Sequence, residues 1–363
     1  MTTTAPRVTP VGALRDRFLQ LAERITTPLV PTDYLDIIDP LRSGSDLRGR
    51  IVATNPETRD AVSLVIKPGR GWRSHTPGQY VRIGVDVDGV RQWRAYSLTS
   101  DIGRVDGCIA ITVKAIPGGT VSNYLVRHAT VGTIVQLDHA AGEFTLPITA
   151  PSKILFLTAG SGITPVMGML RNMAEQVADV VVVHSAPTPE DVIFAGELRM
   201  LARQGRIRLI QRHTDADGML TTGELGDLVS DLAERQAWAC GPTSMLDALE
   251  QHWSDNGIPE RLHTERFRPT VVTAGEGGTV TFSKSATVLD TPGDQTLLDA
   301  GESAGVLMPS GCRMGICFGC VAPLREGTVR DLRNGDITTA APGDGVLIQT
   351  CVSAAAGTCD IEL

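Results

Sequence analysis

Between about Gly49 and Asp138 the chain alternates short β-branched and aromatic runs with tight-turn dipeptides. Arg50–Ala53, Ala61–Ile66, Tyr80–Val87, Gln92–Leu98, Ile109–Ala115 and Ile134–Asp138 read as strands, separated by Pro-Gly, Asp-Gly and Gly-Gly turns. Strands this short and this close together predict a small antiparallel barrel. From about Pro151 the period changes. Strand-sized apolar runs at Lys153–Leu157, Val180–His184, Arg206–Gln211 and Gln236–Cys240 alternate with helical patterns near Thr164–Val177, Ala195–Gln204, Gly223–Leu232 and Ser244–Ser254. That alternation predicts a parallel, doubly wound sheet. Residues 270–278 are small, Gly-rich and aperiodic, as in a linker, and a third unit opens with a strand at Thr279–Ser283. At the other end, Leu14, Phe18, Leu21 and Ile25 share one helical face within a leader over 1–45. That leader is either a helix packed on the body or a docking element for a membrane-bound partner. The expected organisation is multidomain: leader 1–45, antiparallel β-barrel 46–150, doubly wound α/β unit 151–269, linker 270–278 and a C-terminal unit 279–363.

Composition narrows the class. The 363 residues carry a net charge of −8, which argues against nucleic acid as the main partner, because phosphate binding needs a basic surface. No apolar run approaches the roughly 18 residues of a membrane-spanning helix. The N-terminal MTTTAPRVTP lacks the apolar core of a signal peptide, so a cytoplasmic location is expected, peripheral to a membrane at most through a partner.

The seven cysteines are an odd number, and three crowd into nine residues, unlike a secreted disulfide framework. Cys312, Cys317 and Cys320 follow C-x4-C-x2-C, with Cys351 far downstream, which is the plant-type spacing for a [2Fe–2S] cluster. Gly311, Gly315 and Gly319 suit a loop that must turn tightly and aim N–H groups at sulfur. Zinc is the competing metal, but its structural sites usually show two similar short pairs. Cys359 is an alternative fourth ligand, whereas Cys351 directly follows the apolar run Val346–Gln349.

Two further motif groups suit nucleotide cofactors. Arg94-Ala95-Tyr96-Ser97-Leu98 ends a strand: the guanidinium suits a phosphate, the phenol ring a flat heterocycle, and the hydroxyl a position near flavin N5. Val113-Lys114 and then Gly118-Gly119-Thr120-Val121-Ser122 follow, where glycines allow close backbone approach and Ser122 falls at a helix start, an anion site. In the second unit, Gly160-Ser161-Gly162-Ile163-Thr164-Pro165 turns from a strand into a helix, as a pyrophosphate requires. Cys240-Gly241-Pro242 ends another strand at the carboxyl edge, where doubly wound sheets bind ligands. Glu265 and Phe267, in His263–Phe267, close the module; Glu265 is either a member of the hydride-transfer site or a solvated acid.

In this order, RAYSL, GGTVS, GSGITP, CGP and HTERF resemble the ferredoxin–NADP+ reductase superfamily, and the C-terminal cysteines make the chain similar to its three-module flavin, nucleotide and [2Fe–2S] reductases. The resemblance implies FAD in preference to FMN, a β-grasp plant-type ferredoxin unit, and Ser97, Cys240 and Glu265 around the nicotinamide. Ile25–Pro31, Asp33–Leu35, Trp93-Arg94 and Ser185-Ala186-Pro187 further resemble the reductase of stearoyl-CoA Δ9-desaturase systems. That implies NADPH as donor and a membrane di-iron desaturase as acceptor. NADH remains open: the Asn-Arg pair of NADH-using relatives is replaced by Ser185-Ala186-Pro187, and Arg206, Arg208 and Arg212 are nearby cations for a 2′-phosphate. The alternatives are a reductase for a Rieske, steroid, aromatic-ring or alkane oxygenase, and a non-enzymatic electron carrier with an empty flavin site.

Overall fold

A computed structural model describes residues 38–42, 46–87, 89–173, 179–267, 274, 276–311, 313, 315 and 318–363. The leader motifs, most of the proposed linker, Cys312 and Cys317 lie outside the described residues.

The first unit contains β1 (Arg48–Thr58), β2 (Ala61–Pro68), β3 (Tyr80–Val87), β4 (Val90–Ser97), β5 (Ile109–Lys114) and β6 (Ile134–Leu137), with helix α1 (Thr120–Arg127) between the last two. The strands pair antiparallel in the order β4-β3-β6-β1-β2-β5. The two edges meet through a bridge between Leu98 and Ile111 and a Thr99 N–H to Ala110 carbonyl bond of 2.8 Å, which closes the sheet as the alternating pattern predicts. Ile51, Leu64, Ile66, Ile83, Ile111 and Leu125 fill the interior.

The second unit is a five-stranded parallel sheet: β7 (Lys153–Ala159), β8 (Asp179–Ala186), β9 (Arg208–His213), β10 (Gln236–Cys240) and β11 (Leu262–Glu265), ordered β11-β10-β7-β8-β9. Its helices are α2 (Ile163–Asn172), α3 (Ala195–Arg203), α4 (Thr222–Leu228) and α5 (Thr243–Asp255). Both faces of the sheet are covered, so the central strands read as continuous apolar runs. Phe156, Val182 and Trp238 face one core, while Leu155, Val181, Val183 and Trp253 face the other.

Boundaries moved where side chains took over backbone partners. The pattern over Thr164–Val177 predicts a longer helix than α2, which ends at Asn172; Met173 is extended. There the Asn172 amide donates to the carbonyls of Gly168 and Ser100, tying the helix end to the barrel. Likewise α4 starts in a capping box at Thr221 and Glu224 and stops at Leu228, short of the expected Leu232. Strand β11 carried too little apolar pattern to be read in advance.

The third unit pairs β12 (Gly278–Phe282), β13 (Thr287–Thr291), β14 (Val321–Asp331), β15 (Ile337–Ala340), β16 (Val346–Gln349) and β17 (Ser353–Ile361) in the order β13-β12-β17-β14-β15, with β16 also on β14. The parallel β12–β17 pair packs with helix α6 (Leu297–Ser303) over a core of Phe282, Leu297, Leu298 and Val352. This is the β-grasp arrangement.

Candidate functional site

Helix α2 is the piece that brings the motifs together. The chain reverses direction across the sheet between β7 and β10, the switch point where such sheets open a ligand crevice. At the start of α2, a Cβ on Gly162 would lie 2.0 Å from the Cys240 carbonyl oxygen. Six residues on, a Cβ on Gly168 would lie 2.3 Å from the Leu98 carbonyl oxygen. Only glycine lets one helix touch both the end of β10 and the end of β4 this closely. Ser97 and Cys240, distant in sequence, therefore flank the same helix.

Around this seam the protein leaves polar groups without partners. Among the described residues, the hydroxyls of Ser97, Thr99 and Ser100 are buried and unbonded, and so is Oε2 of Glu265. Buried polar atoms normally find partners, so a row of orphans beside a crevice fits a bound polar group. Glu265 pairs in register with Cys240 across β10 and β11. Burial pushes its carboxyl up to about 8. Burial, and then the Glu265 charge, raises the Cys240 thiol well above its ordinary value, so Cys240 stays protonated and is no nucleophile. Phe267 sits beyond β11, exposed.

On the nucleotide side, a cavity of ≈ 380 Å³ opens over the carboxyl ends of β7, β8 and β10. Thr158, Gly160, Ser185, Thr214, Thr221 and Met245 are among its lining. Gly160 has φ +53 in the turn that enters α2, and Thr164 Oγ1 donates to the Ser161 carbonyl at 2.9 Å, while no side chain caps the helix. The Ile163 N–H turns back to the Gly160 and Ser161 carbonyls and Pro165 has no N–H, so the helix start favours an anion chiefly through its dipole and the close approach that Gly160 and Gly162 allow. Pro165 lies within that turn, and Gly241 packs against Ala159 and Met245, with Pro242 on the rim. Thr158 also bonds Nδ1 of the buried His184 at 2.8 Å. The sequence motifs missed Thr214, Thr221 and Met245 as lining residues, because they come from three separate segments of the chain, whereas Ser185 was already marked within Ser185-Ala186-Pro187. The three nearby arginines are engaged elsewhere. Arg206 donates to Leu170 and Met173 carbonyls, Arg208 to Leu228, and Arg212 to Gly218, Asp217 and the Glu224 carboxylate.

On the barrel side, Arg94 is half-buried and donates Nη1 to the Trp93 carbonyl at 2.8 Å. Burial, and then the nearby Arg313 guanidinium, lowers it to about 10, a cation placed where a phosphate would relieve it. Burial pushes the Tyr96 phenol up, so it presents a neutral ring. Leu98 and Val113 are buried in the barrel and can contribute to a ligand only through backbone. Lys114 lies 3.5 Å from Asp60. Gly118 has φ +70, and Gly119 caps α1 with no side-chain bond, leaving Thr120 to Ser122 at the open start of that helix. Those features fit a flavin phosphate.

The cysteine loop leans on the β-grasp sheet. Cys320 and Cys351 are buried, and the Cys320 carbonyl accepts from both N–H and Oγ1 of Thr350, which holds the two stretches together. The hydrogen-bonded Asp331 carboxylate raises the Arg333 guanidinium above its ordinary range. Cys359 belongs to β17, paired with Val280 and Gly327, and burial pushes its thiol up to about 12. The geometry thus favours Cys351 over Cys359 beside Cys320. Among the described residues no group of three metal-ligating side chains gathers, since Cys312 and Cys317 fall outside them.

Comparison with known proteins agrees with this layout. Residues 73–146 match the oxidoreductase FAD-binding domain, 156–251 the oxidoreductase NAD-binding domain and 280–356 the 2Fe-2S iron-sulfur cluster binding domain. An NADPH oxidoreductase of Mycobacterium tuberculosis is 49% identical, with 95% of this chain and 91% of that protein covered. The glycine betaine monooxygenase reductase subunit of Chromohalobacter salexigens is 30% identical over 76% of this chain and 84% of its own. Among solved structures, phthalate dioxygenase reductase shares the fold, with a TM-score of 0.60, 23% identity and coverage of 87% of this chain and 97% of that one. Among the described residues, no helix is long and apolar enough to cross a membrane. The chain belongs to the ferredoxin–NADP+ reductase-like family of oxidoreductases, in its three-module form with FAD, NAD(P) and [2Fe–2S] domains.

Proposed function

We propose that this chain is the reductase component of an oxygen-activating system: it takes hydride from NADPH and delivers single electrons to a membrane-bound acyl-CoA desaturase. The observation that carries the reductase chemistry is that α2 touches both the end of β10 at Cys240 and Leu98, next to Ser97, with Glu265 beside Cys240. FAD and the [2Fe–2S] cluster supply hydride acceptance and one-electron transfer when bound. The protein's own work is placement. Gly160–Thr164, with the positive end of the α2 dipole, would hold the diphosphate and direct the nicotinamide to the seam. Arg94, Gly118, Gly119 and Ser122 hold the flavin phosphates. Tyr96 lies against the flavin ring. Ser97, neutral Cys240 and protonated Glu265 pack the reacting rings and exclude water. Cys312, Cys317, Cys320 and Cys351 hold the irons.

NADPH is favoured by the NADPH oxidoreductase at 49% identity. The desaturase is favoured by the leader motifs and by Ser185-Ala186-Pro187, whose Ser185 lines the nucleotide cavity. A second reading, reductase of an oxygenase, is favoured by the 30% identical monooxygenase reductase subunit. An anaerobic titration of the purified protein with NADPH and with NADH, followed by visible spectra, tests donor and cofactors together. Electron delivery to a desaturase in membranes, against a Rieske oxygenase, tests the acceptor. Bleaching of the flavin by NADH alone, or turnover only with the oxygenase, overturns the corresponding half.

A further inference from the structure

Two arginines flank the cysteine loop, and they differ in how their charge is spent. Arg313 is clamped by two carboxylates on α6, Asp299 at 2.9 Å and Glu302. Arg333, in the turn between β14 and β15, pairs with one carboxylate among the described residues, Asp331, through Nε at 3.0 Å and Nη2 at 2.7 Å. Its third nitrogen, Nη1, points the other way and donates to the Gly315 carbonyl at 3.1 Å. Gln349 Nε2 donates to the same carbonyl at 2.9 Å, and Arg333 Nη2 reaches Gln349 Oε1 at 3.3 Å. Gly315 lies between Cys312 and Cys317 in the sequence. It has φ +75, and a Cβ there would lie 2.5 Å from Arg333 Nη1 and 2.9 Å from Val352 Cγ1. Gly315 therefore leaves room for an edge of the guanidinium. The carboxylate occupies one edge of the cation and the cluster loop the other.

We propose that Arg333 is a positioning residue for the [2Fe–2S] centre: it fastens the loop at the Gly315 carbonyl and directs positive charge at the cluster, raising its reduction potential. Reduction adds one negative charge to a thiolate-ligated cluster, so a cation held beside the loop stabilises the reduced form, even one whose far side is exposed to solvent. Arg333 Nη2 also reaches Gln349, two residues before Cys351, so the guanidinium touches both stretches that carry the proposed ligands. Gln349 adds a hydrogen bond to the same carbonyl without a charge. The inference rests on the ligand set proposed above.

The test is a potentiometric titration of the full-length, flavin- and cluster-loaded protein, read by electron paramagnetic resonance of the reduced cluster. Arg333→Gln removes the charge, and at a fixed potential the reduced-to-oxidised ratio falls about tenfold, or about 59 mV for one electron. Arg333→Lys keeps the charge and stays near the wild-type potential. Asp331→Asn removes the opposing carboxylate and moves the potential the other way. Gln349→Ala leaves the potential in place while iron is lost faster to a chelator. Opposite shifts for the Arg333 and Asp331 variants support the proposal, since loosening of the loop alone would not change sign. No shift in either, or shifts of the same sign, overturns it. If Arg333→Gln holds no cluster, the sign of the Asp331→Asn shift decides. A wild-type protein with no reduced-cluster signal would instead sink the ligand set.

Discussion

At the scale of single residues, burial decides protonation. Glu265 has its carboxyl pushed from 4.5 to about 8, and among the described residues no partner compensates Oε2. Its folded state thus holds a proton that the unfolded chain releases near pH 4.5. Between about pH 4.5 and 8 the native form binds more protons, so this group's contribution to stability falls as pH rises. Glu265→Gln should flatten that slope, seen as a smaller difference between urea midpoints at pH 5 and pH 8. An unchanged slope would place the acid in water. The same variant should remove an inflection near pH 8 from the rate of flavin reduction, if the protonated acid packs the reacting rings. Gly162 is decided by space instead. With the Cys240 carbonyl 2.0 Å from where a Cβ would sit, Gly162→Ala must push α2 off β10. A stability loss of about 1–3 kcal/mol is expected, with a raised KM for the nucleotide. Wild-type thermal unfolding and KM in this variant would show that the helix start is not the diphosphate seat.

At the scale of elements, β14 and β16 bring together two of the four proposed cluster ligands. Cys320 enters β14 and Cys351 leaves β16, and Thr350 bonds back to the Cys320 carbonyl. On the proposed ligand set, sheet register would place these two thiols before any metal arrives. Cys320→Ser should abolish the iron–sulfur absorption and still permit flavin reduction by NADPH, because the flavin and nucleotide units have cores of their own. Retained iron–sulfur absorption in that variant would refute the ligand. Cys359→Ser, in the middle of β17, should keep its iron and lose stability, since a hydroxyl replaces a buried thiol.

At the scale of the molecule, barrel and nucleotide sheet are locked by the far end of α2. Arg171 donates to the Thr99 carbonyl and to both oxygens of Glu197, at 2.9 and 2.6 Å. Asn172 accepts from the Ile102 N–H at 2.9 Å and donates to the Ser100 carbonyl at 3.0 Å. Trp238 reaches across to the Thr145 carbonyl at 3.2 Å. Arg171→Ala should cost about 1–3 kcal/mol, because it strips charged hydrogen bonds from a half-buried carboxylate and a carbonyl. It should also slow flavin reduction at saturating NADPH, as the seam holding both ring systems loosens. Stopped-flow reduction at wild-type rate would show that this lock has no part in alignment.

Local chemistry made much of this protein legible from its sequence. Period-two and period-3.6 patterns separate barrel from doubly wound sheet, since each pattern reports which faces are covered. The C-x4-C-x2-C spacing identifies a metal loop, because thiolate geometry is written into contiguous residues. Tertiary structure alone decided which distant groups meet. That Gly162 and Gly168 set Cys240 and Leu98 on one helix depends on backbone contacts between domains. That Cys351 rather than Cys359 joins Cys320 depends on β16 register against β14. That Arg333 faces Gly315 depends on a turn eighteen residues away, a separation no local pattern encodes.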